Sequence, residues 1–498
     1  MVNLLFSILG LLIVLRVYVL LKTNKFSVDQ NYWLLYRQKS IEQNNVPPVI
    51  DNYILELRQW YPPLFGYFIS KIPKRIMLNP LTVIIALNLF RFCIVGLLFG
   101  FNINNITTEK ILLCSLTFFS APILTYYETQ INSRIFGAII LDIIICLWLL
   151  YFQSYNNSYL IIISICSLPV LFSHKMTVQL YCSIILGLSL YNFSFYPIII
   201  FFSTIIFSFV FLGYKKYAIA HIEIIKFWYR NKYKLGAHQF YESDIYGDKK
   251  YVYKNRVHGA GLKTIFKKIV LICGMFPFLI FWIFNFEWNS SSVVLISTLL
   301  MVILTMFVPF FYSIGYGLLY LYNFVNFLVF YIVLSQIDLS FNSLFVFFGG
   351  LLLSFVSIIV FYKRRSKNTT NKYLIETIDF LRGSKVDRLL IIPFQLPDEI
   401  AYKTGKKVFW GGHGLGFLWL ENYFPVFKKP IELAILEWNL GGVVLDKQYW
   451  IEFLNQVDTS KLDKVYENTN YIVFEVKGWQ DKKVVPAWAK SLYPNLSI

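Results

Sequence analysis

KTNKFSVDQNYWLLYRQKSIEQNNVPPVIDNYILELRQWYPPLFGYFISKIP, from Lys22 to Pro73, is the stretch around which the chain is organised. An apolar run of about twenty residues ends at Lys22, and a run of that length is enough to cross a bilayer. The stretch therefore emerges at the membrane surface. A carboxylate, Asp29, follows only a few residues beyond the exit.

Two features follow Asp29. The aromatic and apolar residues of 32–36 mix with charged ones, a pattern typical of a helix that lies in the membrane interface. Two proline pairs, Pro47-Pro48 and Pro62-Pro63, favour extended turns. The second pair belongs to the sequence YPPLF and leads into a further amphipathic helix, before the chain re-enters the bilayer near Pro80.

Composition indicates a polytopic α-helical membrane protein. Of the 498 residues 57% are hydrophobic and only 15% are charged, which is far from the average of soluble domains. Runs of roughly twenty apolar residues predict eleven transmembrane helices. They lie near 4–22, 81–100, 110–127, 136–153, 158–173, 176–193, 195–213, 268–286, 292–312, 314–335 and 342–362.

This layout divides the chain into a transmembrane domain, 1–365, and a small soluble α/β domain, 366–498. The transmembrane domain includes an interfacial loop, 22–80, and a basic loop, 214–268. In the soluble domain, the strand-like runs Arg388–Pro393, Lys407–Trp410, Val443–Leu445 and Tyr471–Glu475 alternate with helical patterns, as in a small open sheet.

Charge is distributed unevenly between the two sides of the membrane. An odd number of spans places 22–80, 214–268 and the C-terminal domain on one common side. Thirteen Lys and Arg against four acids lie between Lys215 and Lys268. The formal charge of +18 therefore suits membrane lipids and phosphate-bearing lipid substrates, and we predict no nucleic-acid partner.

Metal and thiol chemistry receive no support from the sequence. All six cysteines fall inside predicted spans, so the extramembrane parts contain no disulfide pair. The histidines of the basic loop lack the compact spacing of a metal site. The turn Gly411–Gly414 does not match the glycine pattern of nucleotide-binding loops. We predict neither a metal nor a cofactor.

The exit of the first span, the Asp in an aromatic setting and the YPPLF turn together resemble the polytopic GT-C glycosyltransferases. More narrowly, they resemble bacterial members found among surface-polysaccharide genes. The resemblance is best over the first ~80 residues. It implies an integral-membrane enzyme that transfers a sugar from a polyprenyl-phosphate donor to a lipid-linked or surface glycan acceptor.

The resemblance also implies a multi-pass protein of the plasma (inner) membrane with an extracytoplasmic active face. The positive-inside rule favours the opposite orientation, because the basic loops share the predicted active side. We follow the resemblance, since long loops count weakly in that rule and phosphate lipids require cations on the catalytic side.

Sugar transfer of this kind needs a carboxylate that accepts the acceptor's proton and cations that hold the leaving phosphate. Asp29 is the predicted base, although Ser27 to Gln30 also has the pattern of a helix cap. Asp51 and Glu56 are alternative bases. The predicted substrate-binding residues are Glu56, Arg58, Tyr61, Arg134, His174, Lys175 and His238.

For Arg134, His174 and Lys175, the phosphate-binding role comes from the resemblance. The alternative is that they are interfacial cations or helix-end charges.

Two other functions stay open. A transporter or flippase of lipid-linked sugars would show internal repeats and interrupted polar helices at mid-membrane, and no clear repeat is present. A glycan polymerase would share the substrate class. Inside the spans, Arg16, Arg91 and Asp142 are costly charges, and an Arg91–Asp142 pair is the simplest hypothesis for two of them.

Overall fold

The computed structural model describes residues 2–22, 28–77, 80–102, 106–128, 131–232, 262–335, 337, 340–366, 372–411, 418–484 and 486. Helices dominate the described chain. They are α1 Val2–Lys22, α2 Val28–Glu42, α3 Pro63–Lys71, α4 Lys74–Met77, α5 Pro80–Asn102, α6 Thr108–Ser120, α7 Pro122–Glu128, α8 Arg134–Ser154, α9 Ser158–Leu171, α10 Lys175–Tyr191, α11 Tyr196–Phe211, α12 Lys215–Arg230, α13 Leu262–Met275, α14 Leu279–Phe284, α15 Ser290–Phe307, α16 Leu321–Leu334, α17 Phe341–Ser366, α18 Lys372–Gly383, α19 Pro397–Thr404, α20 Ile431–Glu437 and α21 Trp450–Leu454.

The chain forms two compact units. Unit 1 comprises 1–25, 73–215 and 265–368, and unit 2 comprises 26–72, 216–264 and 369–498. The three segments of unit 2 are those for which the sequence predicts a common side of the membrane. The division at residue 365 into a membrane domain and a soluble domain stays a prediction, because the units are defined by packing alone.

Unit 1 contains the membrane helices. Within the described residues, six helices are long and apolar enough to cross a bilayer, or seven if α11 and α12 form one bent span. The other predicted spans are occupied by shorter or interrupted helices, such as α9 with 14 residues and α10 with 17. The prediction of a helical, multi-pass membrane protein is confirmed.

Prolines interrupt two of the predicted spans. Pro122 separates α6 from α7, and Pro277 lies between α13 and α14. Because proline has no N–H to donate, the helix on its N-terminal side ends with unsatisfied carbonyl groups. Arg16 of α1 meets this need at the end of α6, where Nη1 donates to the Phe119 carbonyl oxygen at 3.0 Å.

The predicted ion pair in the membrane domain is present. Arg91 Nε on α5 donates to Asp142 Oδ2 on α8 at 2.6 Å, and both side chains are fully buried. Asn326 Nδ2 donates to the same oxygen at 2.7 Å. The Arg91 guanidinium also lies 4.7 Å from the centroid of the Tyr322 ring. A buried carboxylate is tolerated when an opposite charge and hydrogen-bond donors contact it in this way.

Unit 2 contains the predicted sheet. Its strands are β1 Leu389–Ile392, β2 Gly442–Asp446, β3 Leu462–Glu467 and β4 Tyr471–Val476, in the spatial order β1-β2-β4-β3. β1 and β2 are parallel, and the other two pairs are antiparallel. The sequence predicts β1, β2 and β4, but not β3. Most residues of β3 are polar or partly exposed, as is typical of a strand at the edge of a sheet.

Most of the loop after the first span, residues 26–72, belongs to unit 2. Ile54 N–H donates to the Val408 carbonyl at 2.9 Å, and Val408 N–H donates to the Asn52 carbonyl at 2.8 Å. Leu389 of β1 bonds to the same short segment on its other side. The short extended segment 407–409 therefore lies beside β1, and residues 52–54 lie on the other side of that segment. Both extend the sheet beyond β1.

The position of the predicted interfacial helix relative to the membrane stays a prediction, but protein covers its aromatic face. The aromatic face of α2, with Tyr32, Trp33 and Tyr36, is at most 1% exposed. It packs against α3, where the rings of Trp33 and Phe65 meet edge to face at 4.7 Å. An amphipathic pattern shows that one face must leave water, and here protein covers that face.

We expect that breaking the Arg91–Asp142 pair from one side destabilises the protein by roughly 3–5 kcal/mol, because the remaining charge stays buried without its partner. Asp142→Ala should therefore lower the thermal unfolding temperature of the purified protein markedly. The double variant Arg91→Met with Asp142→Leu should recover much of the loss, since it removes both charges. A double variant less stable than Asp142→Ala would contradict this assignment.

Candidate functional site

Asp29 lies in the first turn of α2 and is partly buried. This position is inside the helix, where the positive end of the helix dipole stabilises a carboxylate. Asp29 shares a helix face with Tyr32, Trp33 and Tyr36, at spacings of three, four and seven residues. Ser27, the other half of the predicted cap, lies outside the described residues.

The helix next to Asp29 buries polar groups. Gln30 is fully buried and Asn31 is 2% exposed. The Asn31 Oδ1 atom has no hydrogen-bond partner in the part of the chain that the structure describes. An unsatisfied buried amide oxygen costs stability. Gln30 and Asn31 lie on other sides of α2 than Asp29, because adjacent residues of a helix do not face each other.

The two alternative bases are already engaged in ion pairs. Asp51 Oδ1 lies 2.7 Å from Lys39 Nζ, and the Asp51 side chain is 54% exposed. Glu56 contacts Lys407 Nζ at 2.9 Å and Lys483 Nζ at 2.6 Å. Burial alone would raise the pKa of Glu56, but hydrogen bonds from Lys483 and Lys407 hold that pKa below its usual range. Glu56 is therefore a poor proton acceptor.

Arg58 and Tyr61 are held by aromatic neighbours. Arg58 lies over the Trp60 ring at 5.9 Å, and its Nη1 donates to the Pro47 carbonyl at 3.4 Å. The Tyr61 ring meets Trp33 of α2 edge to face at 5.3 Å. The structure thus brings Asp29, Glu56, Arg58 and Tyr61 into unit 2. Their roles toward a substrate stay predictions.

Arg134 begins α8 in unit 1. Its guanidinium lies 4.6 Å from the centroid of the Tyr127 ring. The Nε and Nη1 atoms are buried and have no hydrogen-bond partner in the described ranges. A guanidinium with unused donors at the N-terminus of a helix is suited to an anion, because both the charge and the helix dipole attract it.

The His174–Lys175 turn is adjacent to the start of α8. A Cβ atom at Gly137 of α8 would lie 2.9 Å from His174 Cβ and 2.3 Å from Thr177 Oγ1. Only glycine allows the two helices to approach so closely. His174 is 6% exposed, and its carbonyl accepts the first backbone hydrogen bonds of α10. The structure therefore brings together the N-termini of α8 and α10, and with them Arg134 and His174–Lys175.

A chain of ring contacts links Arg134 to the buried ion pair. The Tyr127 ring beneath Arg134 meets Tyr322 edge to face at 5.8 Å. Tyr322 in turn lies under Arg91, and its hydroxyl donates to Asn88 Oδ1 at 2.8 Å. The position of Arg134 is thus coupled through packing to Arg91.

Two residues complete the comparison of predicted and observed sites. His238 lies outside the described residues, so its role stays a prediction. Asp398, which the sequence does not single out, is 1% exposed and accepts a hydrogen bond from the Tyr53 hydroxyl at 2.5 Å. Its sequence context, Pro397-Asp-Glu399, is that of an ordinary helix start, and only burial distinguishes it.

The fold is similar to that of two solved membrane glycosyltransferases. ArnT from Cupriavidus metallidurans, in a crystal structure with bound undecaprenyl phosphate, matches with a TM-score of 0.53 and 8% identity, over 96% of this chain and 99% of that one. The apo oligosaccharyltransferase of Archaeoglobus fulgidus matches with a TM-score of 0.53 and 12% identity, over 97% of this chain and 75% of that one. The chain has the GT-C fold.

Sequence comparison adds nothing to this likeness in structure. No protein-family model matches the chain, and no curated protein sequence matches it. Because identity to the solved GT-C structures is so low, the likeness shows the fold alone. The roles of individual residues in this GT-C chain rest on its own geometry.

We expect Gly137→Ala to destabilise the protein by about 1–3 kcal/mol, because the added methyl group overlaps Thr177 and His174. Gly349→Ala is the matched control, since Gly349 lies in the interior of α17 with nothing within 4 Å of its Cβ position. The control should be neutral or slightly stabilising. Thermal unfolding of the purified variants measures both. Equal unfolding temperatures would show that α8 and α10 do not approach as described.

Proposed function

We propose that this protein is an integral-membrane glycosyltransferase that moves one sugar from a polyprenyl-phosphate donor to a lipid-linked or surface glycan acceptor. The observation that carries the proposal is the GT-C fold, matched over nearly the whole length of an ArnT structure with bound undecaprenyl phosphate. A partly buried carboxylate soon after the first span supports it.

Two roles are proposed, each for residues of one unit. In unit 2, Asp29 accepts the proton of the acceptor hydroxyl. In unit 1, Arg134 and Lys175, together with His174, bind and stabilise a phosphate group. The unused Nε and Nη1 donors of Arg134 support this assignment. Cationic side chains of the protein can perform this stabilisation without a metal.

A transporter of lipid-linked sugars is the competing proposal. It requires no base, and an isosteric amide at position 29 should leave it active. A polymerase shares the base and differs in adding sugars repeatedly. The length distribution of the product therefore separates the polymerase from the single-transfer enzyme.

Asp29→Asn tests the proposed base. Asparagine keeps the size of the side chain and caps a helix about as well as aspartate, so the fold should be retained. We expect transfer from a panel of polyprenyl-phosphate hexoses and pentoses to fall on the order of 100-fold or more, in Asp29→Asn and in Asp29→Ala alike. Transfer of radiolabelled sugar by purified protein is the measurement.

Asp51→Asn is the matched control, because it changes an exposed carboxylate that is already paired with Lys39. It should keep its activity. If Asp29→Asn stays active while Asp29→Ala is unstable, Asp29 serves the helix and is not the base. If the unchanged protein transfers none of the sugars in the panel, the proposed activity itself fails.

The extracytoplasmic orientation of unit 2 is also proposed. We expect alkaline phosphatase fused after Ile498 to be active in cells, because this reporter requires export, and a green fluorescent reporter at that position to be dark. A fusion truncated after Asn157, in a loop predicted on the opposite side, should show the reverse. A fluorescent C-terminal fusion with inactive phosphatase would place unit 2 in the cytoplasm and favour a nucleotide-sugar donor.

A further inference from the structure

A buried carboxylate lies between elements that are distant in sequence. Asp398, in the first turn of α19, is 1% exposed and accepts the Tyr53 hydroxyl at 2.5 Å. Tyr53 is itself 4% exposed. Burial, and then the charge of Asp398, raises the pKa of Tyr53 well above its ordinary value, so the phenol keeps the proton that it donates. Such a charge-assisted hydrogen bond is stronger than one between neutral groups.

The position of Tyr53 is set by backbone and packing. Its flanking residues, Asn52 and Ile54, make the two backbone hydrogen bonds to Val408. A Cβ atom at Gly411 would lie 2.0 Å from the Tyr53 ring, so the ring packs directly on that glycine. The phenol is therefore held in place independently of α2.

α2 packs on α19. Tyr32 of α2 is fully buried, and burial, followed by the neighbouring Tyr36, Tyr61 and Asp398, raises its pKa well above the ordinary value. α19, which carries Asp398 in its first turn, is therefore packed against the helix that carries Asp29.

We propose that Asp398 and Tyr53 are positioning residues that fix α2 in unit 2 and thereby orient Asp29. The catalytic consequence rests on the function proposed above, while the fixing of α2 does not. Asp398 touches no reacting atom in this scheme. It acts through the packing of α19 on α2, and the C-terminal segment is then part of the catalytic framework.

Loss of the hydrogen bond should loosen α2 before the rest of unit 2. Tyr53→Phe removes a single oxygen and leaves the Asp398 carboxylate buried without this donor. Asp398→Asn keeps the size of the side chain and removes its charge. The sheet strands β2 and β4 have their own backbone ladder and should be unaffected in both variants.

Hydrogen–deuterium exchange of the full-length protein in nanodiscs tests the proposal. We expect backbone amides of α2 to exchange at least about tenfold faster in Tyr53→Phe and in Asp398→Asn, with β2 and β4 unchanged. Asp379→Asn is the matched control, because its carboxylate is exposed on α18 and should leave exchange unaltered. Unchanged exchange in α2, or equal acceleration over all of unit 2, would overturn the proposal.

A double variant distinguishes one shared interaction from two separate defects. Tyr53→Phe combined with Asp398→Asn should loosen α2 no more than the worse single variant, because both act on the same hydrogen bond, which Tyr53→Phe removes and Asp398→Asn deprives of its charge. Additive acceleration would contradict the proposal. If Asp398→Asn does not fold, the single-oxygen change Tyr53→Phe still decides the outcome.

Kinetic measurements test whether loss of the Tyr53 hydroxyl also impairs catalysis. With an active polyprenyl-phosphate sugar, Tyr53→Phe should lower kcat on the order of tenfold with little change in KM. In the Asp29→Asn background the same change should have no further effect on kcat, since the group that it orients is gone. If no donor of the panel is used by the unchanged protein, the proposed function fails, while the exchange experiment still tests the fixing of α2.

Discussion

Backbone hydrogen bonds between residues 52–54 and 407–409 join two parts of the chain that are separated by most of the membrane helices. The segment 407–409 also bonds to β1. Residues 52–54 of the loop after the first span are therefore the outermost extended segment of the C-terminal sheet. Buried peptide groups must find such partners, because an unsatisfied one costs free energy comparable to a lost hydrogen bond. The helix that carries Asp29 is therefore built on a framework that the C-terminal segment supplies.

In unit 1 the corresponding constraint is the satisfaction of polar groups within a low-dielectric helix bundle. Arg91 and Asn326 both donate hydrogen bonds to Asp142, and the Tyr322 ring lies against the guanidinium. Where a helix is interrupted, its last carbonyl groups lack partners within the helix, and long cationic side chains donate hydrogen bonds to them. Lys268 Nζ donates to the Met306 carbonyl at 2.5 Å, as Arg16 does at Phe119. Charged side chains that would be costly in lipid are thus hydrogen-bonded to other protein groups inside the helix bundle.

At the start of α8, two donor atoms of Arg134 are buried and have no hydrogen-bond partner among the described residues. Gly137, one turn along α8, permits the close approach of His174 and Thr177 at the start of α10. Contacts through the rings of Tyr127 and Tyr322 lead from Arg134 to Arg91. Buried donors of this kind support the phosphate-binding role proposed for Arg134.

By itself, the sequence determined the helical, multi-pass membrane class, three of the four strands and the Arg91–Asp142 pair. These follow from local periodicity, proline breaks and the cost of charge in lipid, all of which are visible within short windows. Only the tertiary structure decided what covers α2, since lipid and protein leave the same amphipathic pattern. It alone paired Tyr53 with Asp398, 345 residues apart, because such a contact depends on how the whole chain packs and leaves no local trace.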